Sequence, residues 1–354
     1  MSMCNISNDS FREFFSEQNC SWSHWAGNGA IANLEKKLCS LYGAKHALCV
    51  DSATNGLMYL TLATGLKRKE ILTSSLGFGG TIAGALALDC KFHFADIEDN
   101  SLNISPDDSL EILRKQENIK AVIATDFAGI PHDMETFHRI CQEKGIWHFV
   151  DAAQSLGAKY NQPDIAKSSD AIVVSFGACK AISGGGEGGA IITDNSDLYN
   201  NLISVCQHAH RQERDLGIGT SHDFALNGRM HPLAAILACD SFDNGLAAIC
   251  KKREMYNRVL KILSGFDSIS SVFLQKDSAF YYAPVVVKDN DLFKEEFTSS
   301  VLSTDYYYSQ EAFLPLSLQL ELKGFKKRVK TTSHNKLKLL TGRLYFIHKK
   351  TTKP

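Results

Sequence analysis

The chain has 354 residues, 44% of them hydrophobic and 22% charged, with a formal net charge of −1. This composition predicts a globular protein with one large or two ordinary hydrophobic cores, and it excludes a chain too polar to build one. No uninterrupted run of about 18 apolar residues is present, so we expect no membrane span. The ten cysteines show neither CxxC nor metal-like spacing, and no signal peptide opens the sequence. We therefore expect reduced thiols and a cytoplasmic protein.

Charge is distributed unevenly along the chain. Residues 323–354 contain 11 Lys or Arg and no acid, which leaves 27 basic against 39 acidic residues elsewhere. Phe325, Tyr345 and Phe346 offer only a hint of the aromatic platform that nucleic-acid binding needs. A solvated basic face with a short RLYFI strand is the favoured interpretation, and attraction of a phosphorylated substrate stays open.

Short apolar runs alternate with helical patterns over the first two thirds of the chain. The predicted strands are 46–51, 70–74, 91–96, 120–125, 146–151, 170–176 and 189–194. Helical patterns between them cover 55–66, 107–116 and 133–144. Continuous apolar strands joined by helices predict an α/β fold with a mostly parallel sheet covered on both faces. Ligands of such sheets bind beyond the carboxyl ends of the strands.

The pattern changes after Pro232, where a long helical stretch is interrupted near Gly245. We expect four parts: an N-terminal segment, a large domain, a linking helix and a small C-terminal α+β domain with the basic tail. Their predicted ranges are 1–24, 25–240, 241–263 and 264–354.

Two segments that follow predicted strands could bind a flat, phosphorylated ligand. In SATNG, backbone amides and the Thr54 hydroxyl could hold a phosphate at a helix N-terminus, although an ordinary N-cap gives the same pattern. In SSLGFGGT, the glycines around Phe78 would let its ring stack on a flat ligand, although a lone Phe is more often part of a core.

Asp151 and Lys180 carry the strongest chemical signal. Asp151 ends the apolar run IWHFVD, where a buried carboxylate needs a cation or good hydrogen bonds; a helix N-cap is the competing interpretation. Lys180 follows Ser175 and FGAC, just before the glycine cluster GGGEGG, although a surface loop would also hold such a lysine. An acid for a pyridine nitrogen and an amine for an aldehyde are what pyridoxal 5′-phosphate (PLP) requires. Gln154 could then reach the ring oxygen, and Ser175 the phosphate.

Other candidate sites are weaker. His208 and His210 have no carboxylate or cysteine cluster beside them in sequence, so we expect no metal site. Cys179 could pass for a nucleophile, but no histidine is placed as its base. The glycine cluster also lacks the GK[ST] of a nucleotide-binding P-loop.

The segments SATNGL, SSLGFGGT, VDAAQSLGAKY, SFGACK, GGGEGGAIITD and LNGRMHPLAA together resemble the PLP-dependent sugar aminotransferases of DegT and StrS type, which have fold type I. The resemblance covers roughly residues 25–240. It implies that Lys180 bonds to the cofactor aldehyde and moves the proton, and that Asp151 pairs with the pyridine nitrogen. It further implies cofactor contacts by the following residues: Ala53, Thr54 and Ser175 at the phosphate, Phe78 on the ring face, and Gln154 near the ring oxygen.

The resemblance also implies a homodimer with a shared active site. Asn227 would reach the phosphate of the neighbouring subunit, and Arg229 and Glu187 are candidate substrate contacts. The implied reaction moves an amino group from an amino acid, with glutamate expected, to a keto-sugar that is expected to be nucleotide-linked. Two alternatives are a PLP-dependent sugar dehydratase or lyase, against which the retained Lys180 argues, and a silent binding protein with the same fold.

The chain departs from the family pattern at several positions. SAT replaces an SGT-like segment, Ser74 stands where proline is usual, and Ala209 follows His208 in place of glycine. The segments that usually shape the substrate pocket cannot be located in the C-terminal half. The DYYYSQ segment, which contains Tyr306, is either a remnant of them or a strand.

Overall fold

The computed structural model describes residues 26–160, 165–217, 225–273, 277–310, 316–333 and 343–349. The predicted segment 1–24 lies outside these ranges. Seven strands form in the first part of the chain: β1 (His46–Val50), β2 (Glu70–Ser74), β3 (Lys91–Ala95), β4 (Ile119–Thr125), β5 (Trp147–Asp151), β6 (Ala171–Ser175) and β7 (Gly189–Thr193). Five more follow: β8 (Ile269–Val272), β9 (Ala283–Val287), β10 (Tyr306–Gln310), β11 (Val329–Thr332) and β12 (Leu344–Lys349).

Two sheets organise these strands. The large sheet has eight strands in the order β1-β7-β6-β5-β4-β2-β3-β11, and the small antiparallel sheet has the order β10-β12-β9-β8. Strands β2 to β6 and β11 pair in parallel, whereas β7 is antiparallel to both β6 and β1. Strand β1 therefore runs in the same direction as β6, and its carboxyl end lies at the same edge of the sheet.

The helices connect and cover the strands. They are α1 (Ala30–Tyr42), α2 (Ala53–Ala63), α3 (Gly80–Ala87), α4 (Pro106–Lys115), α5 (Met134–Lys144), α6 (Ser196–Cys206), α7 (Ala209–Leu216), α8 (Pro232–Leu263), α9 (Asn290–Ser299), α10 (Leu302–Asp305) and α11 (Leu316–Leu322). Successive residues of β6 enter different cores, with Val173 in one and Val174 in the other. Both faces of the sheet are thus buried, and the predicted α/β fold is confirmed.

Helix α8 is continuous over 32 residues, so the predicted interruption near Gly245 is wrong. A Cβ placed on Gly245 would lie 2.6 Å from Cγ1 of Ile182 and 2.8 Å from the carbonyl oxygen of Ala181. The glycine therefore permits close packing of α8 on the loop after β6 and does not break the helix. By length and composition α8 could cross a membrane, but its side chains Ala235 and Ala238 are fully buried within the protein. Core packing accounts for its apolar character.

The C-terminal range contributes to both sheets. Strand β11 extends the large sheet beside β3, and β12 lies between β9 and β10 in the small sheet. The RLYFI segment is a strand, as predicted, but it is a central one: Tyr345 and Phe346 are each 1% exposed. These two rings cannot stack on a nucleic acid. The DYYYSQ segment forms β10.

Candidate active site

The carboxyl edge of the large sheet gathers most of the predicted site residues. Asp151 is the last residue of β5, and Ser175 is the last residue of β6. Ala53 and Thr54 begin α2 directly after β1, and Phe78 lies between β2 and α3. Because parallel strands present their carboxyl ends at one edge, residues far apart in sequence meet there.

Asp151 is buried, with 5% exposure, and its carboxylate has two observed donors. The Thr81 hydroxyl donates to Oδ2 at 2.6 Å, and the backbone N–H of Ala153 donates to Oδ1 at 3.1 Å. Burial raises the pKa of Asp151, and these two hydrogen bonds and the charge of Lys180 oppose that increase. A buried carboxylate of this kind favours a cationic partner, which a protonated pyridine nitrogen would provide.

Lys180 lies in the loop after β6 and is half-buried. Burial lowers the pKa of its amine, while Asp151 and Cys179 oppose the shift. A lysine that loses its proton more readily is a better nucleophile towards an aldehyde and a better proton acceptor. The two residues that carried the sequence prediction therefore influence each other electrostatically across β5 and β6.

Thr54 and Phe78 pack closely around Gly80, the first residue of α3. A Cβ placed there would come within 2.7 Å of the Thr54 hydroxyl oxygen and 2.9 Å of two ring carbons of Phe78. The Phe78 side chain is 69% exposed, so it is not a core residue. An exposed ring beside a hydroxyl and a glycine can stack on a ligand that the hydroxyl also binds.

The segment SATNG forms the amino terminus of α2, where an N-cap and a phosphate site can coexist. Ser52 is the N-cap, and its side chain accepts from the backbone N–H of Asn55 at 3.2 Å. Ala53 and Thr54 occupy the first turn, where backbone N–H groups and the helix dipole favour an anion. Gly189 lets β7 approach this turn, because a Cβ on it would lie 2.6 Å from the backbone nitrogen of Ala53. Gly189, the last glycine of the GGGEGG cluster, therefore permits close packing of β7 on the start of α2.

Gln154 binds a neighbouring loop. Its Oε1 accepts from the backbone N–H of Ala128 at 2.8 Å, which leaves the side-chain NH₂ as its donor towards a ring oxygen. The Ser175 hydroxyl accepts from the backbone N–H of Gly177 at 3.2 Å and can still donate its own proton.

The LNGRM segment runs beside β1. Arg229 forms an isolated antiparallel bridge with Val50, and the carbonyl of Gly228 accepts from the N–H of Asp51 at 3.1 Å. Asn227 is exposed with a positive φ of 54°, and Glu187 is exposed in the glycine cluster. The contacts implied for these residues remain predictions.

Sequence reasoning missed two residues at this edge. Thr81 belongs to the segment SSLGFGGT, but no local sequence pattern links it to the carboxylate of Asp151, 70 positions later. Tyr281 places its ring centroid 4.1 Å from Nζ of Lys180 and comes from the C-terminal part, where no motif was recognised.

The two histidines that were considered as metal ligands lie at the start of α7. His208 is the N-cap of α7, and its Nδ1 accepts from the N–H of His210 at 3.2 Å. Within the described ranges, no group of three or more His, Cys, Asp or Glu side chains is placed to hold a metal.

The chain matches the model of the DegT/DnrJ/EryC1/StrS aminotransferase family over residues 13–335. It is 29% identical over 281 residues to the UDP-4-amino-4,6-dideoxy-N-acetyl-beta-L-altrosamine transaminase of Campylobacter jejuni serotype O:2, covering 78% of this chain and 74% of that protein. It is 33% identical to the spore coat polysaccharide biosynthesis protein SpsC of Bacillus subtilis over 188 residues, or 52% of this chain and 48% of SpsC.

Solved structures share the fold. An aminotransferase from Psychrobacter cryohalolentis superimposes with a TM-score of 0.81 at 16% identity, covering 98% of this chain and 91% of that one. Helicobacter pylori PseC, described as an aminotransferase of pseudoaminic acid biosynthesis, gives a TM-score of 0.73 at 20% identity, covering 91% and 86%.

Proposed function

Because the chain belongs to the DegT/DnrJ/EryC1/StrS aminotransferase family, we propose that it aminates a nucleotide-linked keto-sugar with an amino acid as the donor. The protein is a PLP-dependent aminotransferase of fold type I. The observation that carries the proposal is that buried Asp151 and half-buried Lys180 lie at the carboxyl edge of one sheet and act electrostatically on each other. Glutamate is the donor we expect, and the sugar transaminase of C. jejuni is the relative that suggests the acceptor.

The residues present fit PLP. The buried carboxylate of Asp151 suits a protonated ring nitrogen, the exposed ring of Phe78 suits a stacked pyridine, and the first turn of α2 suits a phosphate. In this arrangement Thr54, Ala53 and Ser175 would bind the phosphate, and Gln154 the ring oxygen. When bound, the cofactor supplies an electron sink for the charge that develops at the substrate carbon.

Each protein residue then has a defined task. Lys180 would hold the cofactor through its amine and then carry the proton to or from the reacting carbon, which its lowered pKa would facilitate. Asp151 would pair with the protonated ring nitrogen, and the Thr81 hydroxyl orients Oδ2 of Asp151. Phe78 would stack on one face of the ring.

We propose that the protein is a cytoplasmic homodimer with a shared active site. The exposed side chain of Asn227 and the 69% exposed ring of Phe78 are compatible with this, because neither is buried within its own chain. All eight cysteines within the described residues are free thiols, which is compatible with a reducing compartment. Arg229 and Glu187 are the proposed substrate contacts.

The test begins with the purified protein and PLP. A yellow protein is expected; borohydride should bleach it and leave the cofactor covalently attached to the Lys180 peptide, and Lys180→Ala should lose both the colour and the attachment. Lys69→Ala is the matched control, because this exposed lysine directly precedes β2 at the opposite edge of the sheet. A protein without affinity for PLP would overturn the proposal.

A second measurement separates transamination from elimination. Holoprotein incubated with glutamate alone should form pyridoxamine phosphate and 2-oxoglutarate in equal amounts. Addition of UDP-linked keto-sugars should then restore the original spectrum and yield an amino-sugar. If no common amino acid forms pyridoxamine phosphate, the lyase alternative replaces the proposed reaction.

A further inference from the structure

Tyr281 contacts the lysine at the centre of the site. Nζ of Lys180 lies over the Tyr281 ring, 4.1 Å from its centroid. Tyr281 precedes β9, so the small sheet supplies the ring and the large sheet supplies the lysine. This contact therefore joins the two parts of the protein at the reacting amine.

The backbone around Tyr281 is held firmly against the loop after β4. The N–H of Ala279 donates to the carbonyl of Gly129 at 2.8 Å, and the Ser278 hydroxyl donates to the same oxygen at 2.9 Å. Nζ of Lys252 donates to the carbonyl of Tyr281 at 3.3 Å. Gly129 has a φ of 84°, and a Cβ on it would lie 2.9 Å from the nitrogen of Tyr281. The backbone that carries the Tyr281 ring is consequently held in place.

Two effects act on the Lys180 amine in opposite directions. An aromatic face stabilises an ammonium group, and it does so more strongly when the pair is desolvated. Burial has the contrary effect and lowers the pKa of Lys180. The other titratable groups that act on this amine are Asp151 and Cys179, and the Tyr281 ring also contacts Tyr282 at 4.7 Å between centroids.

We propose that Tyr281 is a positioning residue for Lys180: its ring face holds the amine at the carboxyl edge of the large sheet and sets its affinity for a proton. The inference rests on the role proposed above for Lys180. The phenol hydroxyl is not required, because the attraction comes from the ring face. Burial raises the pKa of Tyr281 to about 12, so the phenol stays neutral while the lysine titrates.

The test measures the proton affinity of Lys180 in cofactor-free protein. Competitive labelling with acetic anhydride between pH 6 and pH 11, with the Lys180 peptide quantified by mass spectrometry, gives its titration curve. Tyr281→Leu removes the ring and keeps an apolar side chain, so the pKa of Lys180 should fall by about one unit and its labelling at pH 7 should rise roughly tenfold. Tyr281→Phe should match the wild type.

Two controls keep the outcome interpretable. Tyr307→Leu removes a 49% exposed ring of β10 that stacks on His348, with centroids 4.9 Å apart, and should leave Lys180 labelling unchanged. If Tyr281→Leu does not fold, Tyr281→Met serves in its place. An unchanged Lys180 titration in the ring-free variant would overturn the proposal, as would a shift in Tyr281→Phe equal to that in Tyr281→Leu. Because no cofactor is present, either result is independent of the colour test for transamination.

Discussion

Replacement of Thr81 by valine tests how the buried carboxylate is stabilised. The Thr81 hydroxyl donates to Oδ2 of Asp151 at 2.6 Å, and both residues are buried. Valine has nearly the same shape, so the change removes the donor and opens little space. A hydrogen bond to a charged group contributes about 1.5–3 kcal/mol, and we expect Thr81→Val to lower the free energy of unfolding by this amount at pH 8.

The pH dependence identifies the cause of this loss. Burial raises the folded-state pKa of Asp151 above its ordinary 3.8, and removal of Thr81 raises it further because the ionised form loses a donor. The loss is therefore fully present above the folded-state pKa of Asp151 in the variant, where both proteins carry an ionised carboxylate. It should shrink to about 1 kcal/mol, the contribution of a neutral hydrogen bond, as the pH falls from the variant's pKa through the wild-type one.

The assay is urea unfolding of cofactor-free protein at a series of pH values. Thr73→Val is the matched control, because the buried Thr73 hydroxyl donates to the neutral carbonyl of Ile123 at 2.8 Å. This variant should lose about 1 kcal/mol at every pH. Equal, pH-independent losses in both variants would show that Thr81 does not stabilise the Asp151 carboxylate.

Three further predictions follow from close contacts and burial. Gly80→Ala should weaken PLP binding roughly tenfold in a fluorescence titration, because its Cβ would push aside the Thr54 hydroxyl and the Phe78 ring, two of the proposed cofactor contacts. Gly245→Ala should destabilise by about 1–3 kcal/mol in urea unfolding, since its Cβ meets backbone, although alanine stabilises an ordinary helix interior. Burial lowers the pKa of Lys252 from 10.5 to about 8, which costs about 3 kcal/mol at pH 7, and the hydrogen bond of Lys252 to the Tyr281 carbonyl returns about 1 kcal/mol. Lys252→Met should therefore stabilise by about 2 kcal/mol at pH 7, and the gain should fall as the pH rises from 8 to 10.5.

Each of these predictions has its own control. Gly79→Ala places a Cβ with no atom within 4 Å and should bind PLP like the wild type. Asn244→Ala changes an exposed position of α8 and should not destabilise. For Lys252, the sign follows from proton uptake: between pH 8 and 10.5 the unfolded chain binds the proton and the folded protein does not, so wild-type stability rises with pH. A gain that stays constant over this range would contradict the burial argument.

The strands of the large sheet were predicted well because their signal is local. The seven predicted strands up to β7 match the observed ones within one residue at each end. Buried parallel strands are continuous apolar runs, and Gly, Pro and polar residues mark their ends. The same rule located Asp151, Ser175 and Thr54, since each directly follows or ends such a run. The prediction at Gly245 was wrong because the sequence does not distinguish a glycine that interrupts a helix from one that lets the helix pack closely on a neighbouring segment.

The sequence by itself determined the chemistry at the carboxyl edge: an acid, a lysine, a ring between glycines and a helix N-terminus, at spacings that the chain sets locally. Only the tertiary structure decided what surrounds them. Thr81 reaches Asp151, and Tyr281 reaches Lys180, through contacts between residues 70 and 101 positions apart. Likewise, only sheet pairing placed β11 on the large sheet and β12 inside the small one. Such contacts depend on how whole elements pack, and no periodicity within a short segment encodes them.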